Sequence, residues 1–229
     1  MLAEVEAFRA VPETARRRLE AGARIMPVRD GTRIFAQGDA ADAVYAIIGG
    51  EGTVRIGAGD DNSKQLMVQV FRTGEIFGEV GVLDGATRTA DAVAEGSLRL
   101  ARIGAAAFLE ALSSAPELGL NLCRILALRL RRTSALLRDA TFETLEVRLA
   151  RQLLYLADQH GRRVEGGLRL TGHFRQHDLA DLLGATPRSI ITILNAWRAG
   201  KLVQYDTARG LLTLSNEAAL RRLIHEEAR

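Results

Sequence analysis

Hydrophobic and polar positions change rhythm three times along the chain. Residues 3 to 22, "AEVEAFRAVPETARRRLEAG", follow a helical pattern that stops at Gly22. From Ile25 to Ile103, short apolar or β-branched runs alternate with Gly/Asp turns, as in "RIFAQGDAAD", "AVYAIIGGEGTVRI", "GDDNSKQLMVQVF" and "SLRLARI". That spacing predicts an antiparallel sandwich or barrel. The rhythm then becomes helical in "PELGLNLCRILALRLRRTSALLRDA", with no proline after Pro116 and no glycine after Gly119. Leu126, Leu130, Thr133, Leu137 and Ala140 fall at alternating spacings of four and three, the pattern of a coiled-coil seam about two heptads long. Arg129, Arg131 and Arg132 keep the other faces polar, so a dimer seam is expected ahead of a helix lying on its own domain. A second helical block, "FETLEVRLARQLLYLADQHG", is followed by a short strand "GLRL", two short helices, a hairpin "LVQYDTARGLLTL" and a helix from Asn216. The class is α+β.

The two short helices divide cleanly. In "HDLADLLGATPRSIITILNAWRAGKL", Leu179, Leu182 and Leu183 form one apolar stripe, and Gly184 allows a tight turn. Thr186 is a suitable N-cap and Pro187 suits a first turn. Ile190, Ile193, Leu194 and Trp197 are spaced to face a core. Thr186, Arg188, Ser189, Ile191, Thr192 and Asn195 are left near the outward N-terminal half. In a helix-turn-helix that half enters the major groove. Arg188 has the fork to read a guanine, and Ile191 the surface for a thymine methyl. A solvated helical hairpin that meets no nucleic acid is the plainer alternative, and the turn glycine, the cap and the following hairpin argue against it.

Charge placement agrees. The chain has 229 residues and a net charge of +3. Residues 1 to 140 carry 18 basic and 18 acidic side chains, whereas residues 141 to 229 carry 13 and 10, so the excess lies beside the helix-turn-helix. The single cysteine, Cys123, forms no internal disulfide and excludes a four-thiolate cluster within one chain. No apolar run approaches the ~20 residues of a membrane span, and the start lacks a signal-peptide pattern. A cytoplasmic protein with no membrane partner is expected. Enzyme signatures are absent: Gly200-Lys201 is followed by Leu202, and neither G-x-S-x-G nor H-E-x-x-H occurs. Ser134 has no histidine near it in sequence. His173 and His177 are four apart but lack an evident third ligand, so no metal is expected and exposed histidines are the preferred reading.

One stretch holds chemistry that composition does not explain. "FGEVGVLDGATRTA", Phe77 to Ala90, reads as buried yet carries Glu79 and Arg88; Asp84 sits in a turn and is expected to be wet. Buried charges are costly unless they are paired or meet a ligand. A plain Glu79–Arg88 ion pair is one answer. A bound anion with a sugar is the other.

These pieces resemble cyclic-AMP receptor protein (Crp/Fnr) type transcription regulators over essentially the whole chain. "FGEVGVLDGATRTA" is similar to that family's phosphate-binding cassette, and "GD…YAIIGGEGTV" looks like its cyclic-nucleotide-binding roll. The resemblance implies a cyclic-nucleotide-binding β-roll at residues 1–115, a dimerisation helix at 116–139 and a winged helix-turn-helix at 140–229. It implies cyclic AMP, or cyclic GMP, as allosteric ligand. Gly78 would let the backbone approach the ligand, and N–H groups from Val80 onward would meet the phosphate. Arg88 would pair with the phosphate, Thr89 would add a hydroxyl, and Glu79 would accept from the ribose. Thr133 and Ser134 would contact the base, one from each subunit of a homodimer, and Arg129 would steady Glu79. Partners would be double-stranded DNA with a palindromic operator and RNA polymerase. The recognition helix departs from the family's usual Arg-Glu opening, since Pro187, Arg188 and Thr192 stand there, so the operator should differ. A ligand-independent regulator with a vestigial pocket, and a nucleotide sensor that does not bind DNA, are the alternatives.

Overall fold

The computed structural model describes residues 1–59, 65–170, 174–207 and 209–226. The chain divides into two compact units, one formed by Met1–Asp60 with Met67–Arg132 and the other containing Thr133–Arg229.

The first unit opens on two 3-10 turns, Leu2–Glu4 and Glu6–Phe8, and then α1 (Glu13–Gly22). The single helix expected over residues 3 to 22 is therefore broken. Val5 is extended between the turns, and Pro12 occupies the N-cap of α1, where its missing N–H costs no hydrogen bond. Strands β1 (Arg24–Val28), β2 (Arg33–Phe35), β3 (Ala43–Gly50), β4 (Thr53–Gly59), β5 (Gln65–Phe71) and β6 (Ile76–Phe77) follow. After them come α2 (Val80–Asp84), β7 (Asp91–Glu95), β8 (Leu98–Gly104), α3 (Ala105–Ser114) and α4 (Pro116–Phe142). The strands build two four-stranded sheets, β1-β8-β3-β6 and β2-β7-β4-β5. Residues 60–64 of the expected "GDDNSKQLMVQVF" strand lie outside the described residues.

Strand β3 shows why the sandwich closes. "AVYAII" is apolar at every position because both faces of this strand are covered. Tyr45 and Ile47 point between the sheets with Phe35, Phe71, Phe77 and Leu100. Val44 and Ala46 point the other way, into a second cluster with Leu2, Phe8, Leu19, Phe108, Leu118, Leu122 and Ile125. Each fully buried large side chain contributes about 1.5–3 kcal/mol.

On α4, Leu118, Leu122 and Ile125 are buried in that cluster and Leu126 packs against it. Leu126 is therefore half-buried and only partly available to a partner. One exposed stripe runs through Leu120, Cys123, Ala127, Leu130, Ser134 and Leu137, at alternating three and four spacings, with Leu130 68% and Leu137 69% exposed; Leu128 is exposed off this line. Of the positions expected to form a seam, Leu126 is the one that packs on the core, while Leu130, Thr133, Leu137 and Ala140 are exposed.

The second unit holds α5 (Leu145–His160), β9 (Gly161–Val164), β10 (Gly167–Leu170), α6 (Gln176–Leu183), α7 (Pro187–Ala199), β11 (Val203–Asp206), β12 (Leu211–Leu214) and α8 (Glu217–Glu226). Its antiparallel sheet runs β11-β12-β10-β9. Thr144 caps α5 by accepting from the Val147 N–H. Arg151 ties the end of α4 to α5: it pairs with the buried Asp139 and lies 2.9 Å from Glu143. His177 sits 2.9 Å from Asp178, and His173 lies outside the described residues.

Candidate functional site

The cassette begins where β6 ends. Gly78 has φ +75°, a left-handed conformation that favours glycine. A Cβ there would lie 2.9 Å from Arg88 Nη1 and 3.1 Å from Phe35 Cε1. The chain turns at Gly78, passes Glu79, runs through the single turn-and-a-half of α2 and stops at Gly85, whose φ of +71° is also left-handed. Val80 and Thr89 are exposed. Asp84 is exposed too, and its Oδ1 accepts from the Ala86 N–H at 2.9 Å.

Arg88 is the centre of the site. It is 3% exposed. Its Nη1 donates to Gly78 O at 2.7 Å and its Nη2 to Ala43 O at 2.8 Å. The guanidinium carbon lies 4.3 Å from the centre of the Phe35 ring and 5.6 Å from that of Tyr45. Among the described residues Nε has no hydrogen-bond partner. Burial pushes this guanidinium below its ordinary value, and the neighbouring Tyr45 and Asp42 oppose that shift. Its ion-pair partner among the described residues is Asp42, at 3.5 Å.

Glu79 pairs elsewhere. Its Oε1 accepts from Arg129 Nη1 of α4 at 2.6 Å, and Arg129 Nη2 donates to Ile76 O at 2.7 Å. Arg129 also stacks on Phe71, 4.7 Å from the ring centre. The plain Glu79–Arg88 ion pair is thus not the arrangement found. Each residue answers to a different neighbour: Glu79 to Arg129, and Arg88 to two carbonyls with Asp42 at the longer distance of 3.5 Å.

Sequence reasoning missed Asp42, Arg102, Phe35 and Tyr45. Arg102 Nη2 lies 2.6 Å from Asp42 Oδ2, and Tyr45 and Arg102 are directly opposed between β3 and β8. Alternation along β3 places Tyr45 on the inner face, which was the available signal. Thr133 and Ser134 are exposed on α4 at the start of the second unit.

In the second unit, Gly184 has φ +59° and closes α6. Thr186 caps α7, accepting from the Ser189 N–H at 3.2 Å. Ile190, Leu194 and Trp197 are buried, and Ile193 is half-buried. Arg188, Thr192 and Asn195 are exposed, whereas Ser189 and Ile191 are half-buried. Two hydroxyls have local partners: Ser189 Oγ lies 2.9 Å from Thr186 Oγ1, and Thr192 Oγ1 donates to Arg188 O at 3.0 Å. The helix pair is anchored to α5 through Trp197 Nε1, which donates to Glu146 Oε1 at 2.6 Å, and through Arg148, which donates to Leu183 O. This is a helix-turn-helix braced from behind, with its N-terminal half open.

Such an arrangement, a nucleotide-type roll followed by a braced helix-turn-helix, defines a sensor joined to a DNA reader. Residues 25–115 match the model of the cyclic nucleotide-binding domain, and residues 147–223 match the Crp-like helix-turn-helix domain. The CRP-like cAMP-activated global transcriptional regulator of Mycobacterium tuberculosis is 32% identical over 160 residues, 70% of each chain. The cyclic AMP receptor protein of Thermus thermophilus is 31% identical over 166 residues, 72% of this chain and 73% of that one. Among solved structures, the c-di-GMP-responsive global regulator CLP of Xanthomonas campestris superposes with a TM-score of 0.75 at 24% identity, covering 89% of this chain and 99% of that chain; at this identity the likeness shows the fold alone. The chain belongs to the Crp/Fnr family of transcription regulators, as a cyclic-nucleotide-binding, DNA-binding member. Among the described residues no helix is long and apolar enough to cross a membrane.

Proposed function

We propose that the protein is a homodimeric regulator that binds cyclic AMP in its roll and a palindromic double-stranded operator through α7, working in the cytoplasm alongside RNA polymerase. The division of labour follows residues 1–115 as sensor, 116–139 as dimerisation helix and 140–229 as DNA-binding domain. The observation that carries the reading is Arg88: a buried guanidinium whose Nε has no hydrogen-bond partner among the described residues, with Asp42 3.5 Å away, set beside the Gly78 turn. A cyclic phosphodiester would bring a negative charge into direct contact with this cation, which Asp42 approaches only to 3.5 Å, and charge-assisted bonds of that kind are strong. Gly78, Glu79, Val80 and Thr89 would complete the sugar-phosphate contacts, with Arg129 holding Glu79 in place. The hydroxyls of Thr133 and Ser134 would serve the base. Cyclic AMP is preferred to cyclic GMP because both relatives named above carry cyclic AMP in their names.

The exposed stripe on α4 supports the dimer, because an isolated chain would leave Leu130 and Leu137 in water. Arg188, Ser189, Ile191, Thr192 and Asn195, with the cap Thr186, form the DNA-reading set.

The test is operator affinity measured across cyclic AMP, cyclic GMP and linear AMP concentrations at one fixed salt, because phosphate contacts make DNA binding salt-dependent. Cyclic AMP should raise operator affinity by a coupling of about 1–3 kcal/mol. By reciprocity, operator DNA should tighten the nucleotide by the same factor. Flat DNA affinity up to saturating nucleotide would make the protein a constitutive DNA binder with a vestigial pocket.

A further inference from the structure

Beside Arg88 stands a pair of charges that neither the motif nor the family reading assigns. Asp42 precedes β3 and its side chain is 61% exposed. Its two oxygens face two different arginines. Oδ2 lies 2.6 Å from Arg102 Nη2, a hydrogen-bonded ion pair, whereas Oδ1 lies 3.5 Å from Arg88 Nη2, beyond ordinary hydrogen-bond length. Arg102 projects from β8, opposite Tyr45 of β3, and its side chain is 31% exposed. The backbone of Asp42 is fixed as well, its carbonyl accepting from the Ala105 N–H at 2.9 Å. The carboxylate is therefore shared unequally, and the half-buried Arg102 holds the larger part.

The consequence concerns the buried arginine. A carboxylate that closed fully on Arg88 would neutralise the cation and compete with any anion arriving there. A carboxylate removed altogether would leave Arg88 with its whole positive field. The observed geometry is intermediate, with Asp42 hydrogen-bonded to Arg102 and 3.5 Å from Arg88.

We infer that Asp42 and Arg102 together tune the affinity of the pocket for a phosphodiester anion, Asp42 as a built-in competitor for Arg88 and Arg102 as the positioning residue that holds it back. This rests on the nucleotide reading of the pocket. Asp42 repels the ligand's phosphate at short range. Arg102 acts through Asp42, so its effect should vanish when Asp42 loses its charge.

The experiment is a double-mutant cycle read by calorimetric titration of the full-length protein with cyclic AMP. Asp42→Asn, which keeps shape and removes charge, should tighten binding about three- to tenfold, the modest size expected for a charge in contact with water. Arg102→Gln should weaken binding by a similar factor in the wild-type background and change it less than twofold in the Asp42→Asn background. Both effects should shrink as salt is raised, because Asp42 is exposed. A far-UV spectrum of each variant, with and without Arg102→Lys as a charge-preserving control, separates misfolding from a change in affinity. Weaker or unchanged binding in Asp42→Asn overturns the inference. So does an Arg102→Gln effect of equal size in both backgrounds, which would mark Arg102 as a plain electrostatic contributor. If the wild-type chain binds no cyclic nucleotide, the pocket reading itself falls and this inference falls with it; binding by the wild type with a flat cycle overturns this inference alone.

Discussion

Replacing Arg129 by leucine should destabilise the first unit severely, and the structure sets the size. Glu79 is 2% exposed, and its partner is the Arg129 guanidinium at 2.6 Å. Removing the arginine leaves a carboxylate buried without its counter-ion, a change that costs about 3–5 kcal/mol. The bond to Ile76 O and the stacking on Phe71 go with it. Leucine returns some apolar burial but satisfies neither oxygen. Adding Glu79→Gln to the same chain removes the stranded charge, so the double variant should recover most of the loss. Urea unfolding followed by far-UV circular dichroism measures both. The single tryptophan, Trp197, lies in the second unit, so its fluorescence gives an internal control whose midpoint should stay in place. A loss below about 1 kcal/mol for Arg129→Leu would mean that water or rearrangement solvates Glu79 cheaply, contrary to its burial. A double variant as unstable as the single one would show that packing of Arg129, not charge, held the site.

Three further outcomes are expected. Arg188→Ala should cost about 1–3 kcal/mol of operator affinity and relax base preference at one position per half-site; a loss uniform over all sequences would make Arg188 a phosphate contact. Leu130→Glu, placed in the middle of the exposed stripe on α4, should shift the protein to monomer by sedimentation at concentrations where the wild type is dimeric, and an unchanged dimer would move the interface off this face. Burial raises the Glu75 carboxyl above its ordinary value of 4.5, so the folded chain binds this proton more tightly than the unfolded chain and stability falls as pH rises through the folded pKa. Glu75→Gln keeps an acceptor for the Arg72 N–H, bonded at 2.8 Å, and should raise the thermal midpoint at neutral pH, with the advantage narrowing as pH falls towards 4.5; an advantage that is constant with pH would refute the assignment.

The sheets and the helix-turn-helix were legible because their signals are local. A strand covered on both faces shows as "AVYAII", and a helix junction shows as Gly184 followed by Thr186 and Pro187. Helix α3 gave no such signal. "AAAFLEALSS" is alanine-rich, and only Phe108 and Ala111 are buried in it, so no clear stripe marks a face. The initial helix was overextended because periodicity runs through Pro12, while the extended Val5 depends on packing of Leu2 and Phe8 into a distant core. In the site, Glu79 and Arg88 stood out as charges in an apolar stretch. Their neighbours did not. Asp42 and Arg102 are 60 residues apart and meet only because β3 and β8 pair. The packing of Leu126 on the core was hidden for a similar reason: only the buried set Leu118, Leu122 and Ile125 shows which side chains of α4 the core has already claimed.

Helix α4 runs unbroken for 27 residues, and the boundary between the two compact units falls inside it, after Arg132. A junction made of continuous helix obeys the arithmetic of the helix. Each residue inserted or deleted there turns the helical residues that follow by about 100° and moves them by about 1.5 Å along the axis. Changing the length of this helix is therefore a problem of phase. Lengths that change by seven residues, close to two turns, keep Leu130 and Leu137 on one face, whereas a change of one or two residues separates them. The same continuity offers a protease no loop at the boundary, and a fragment ended at Arg132 would carry a helix terminus with its last carbonyls unpaired.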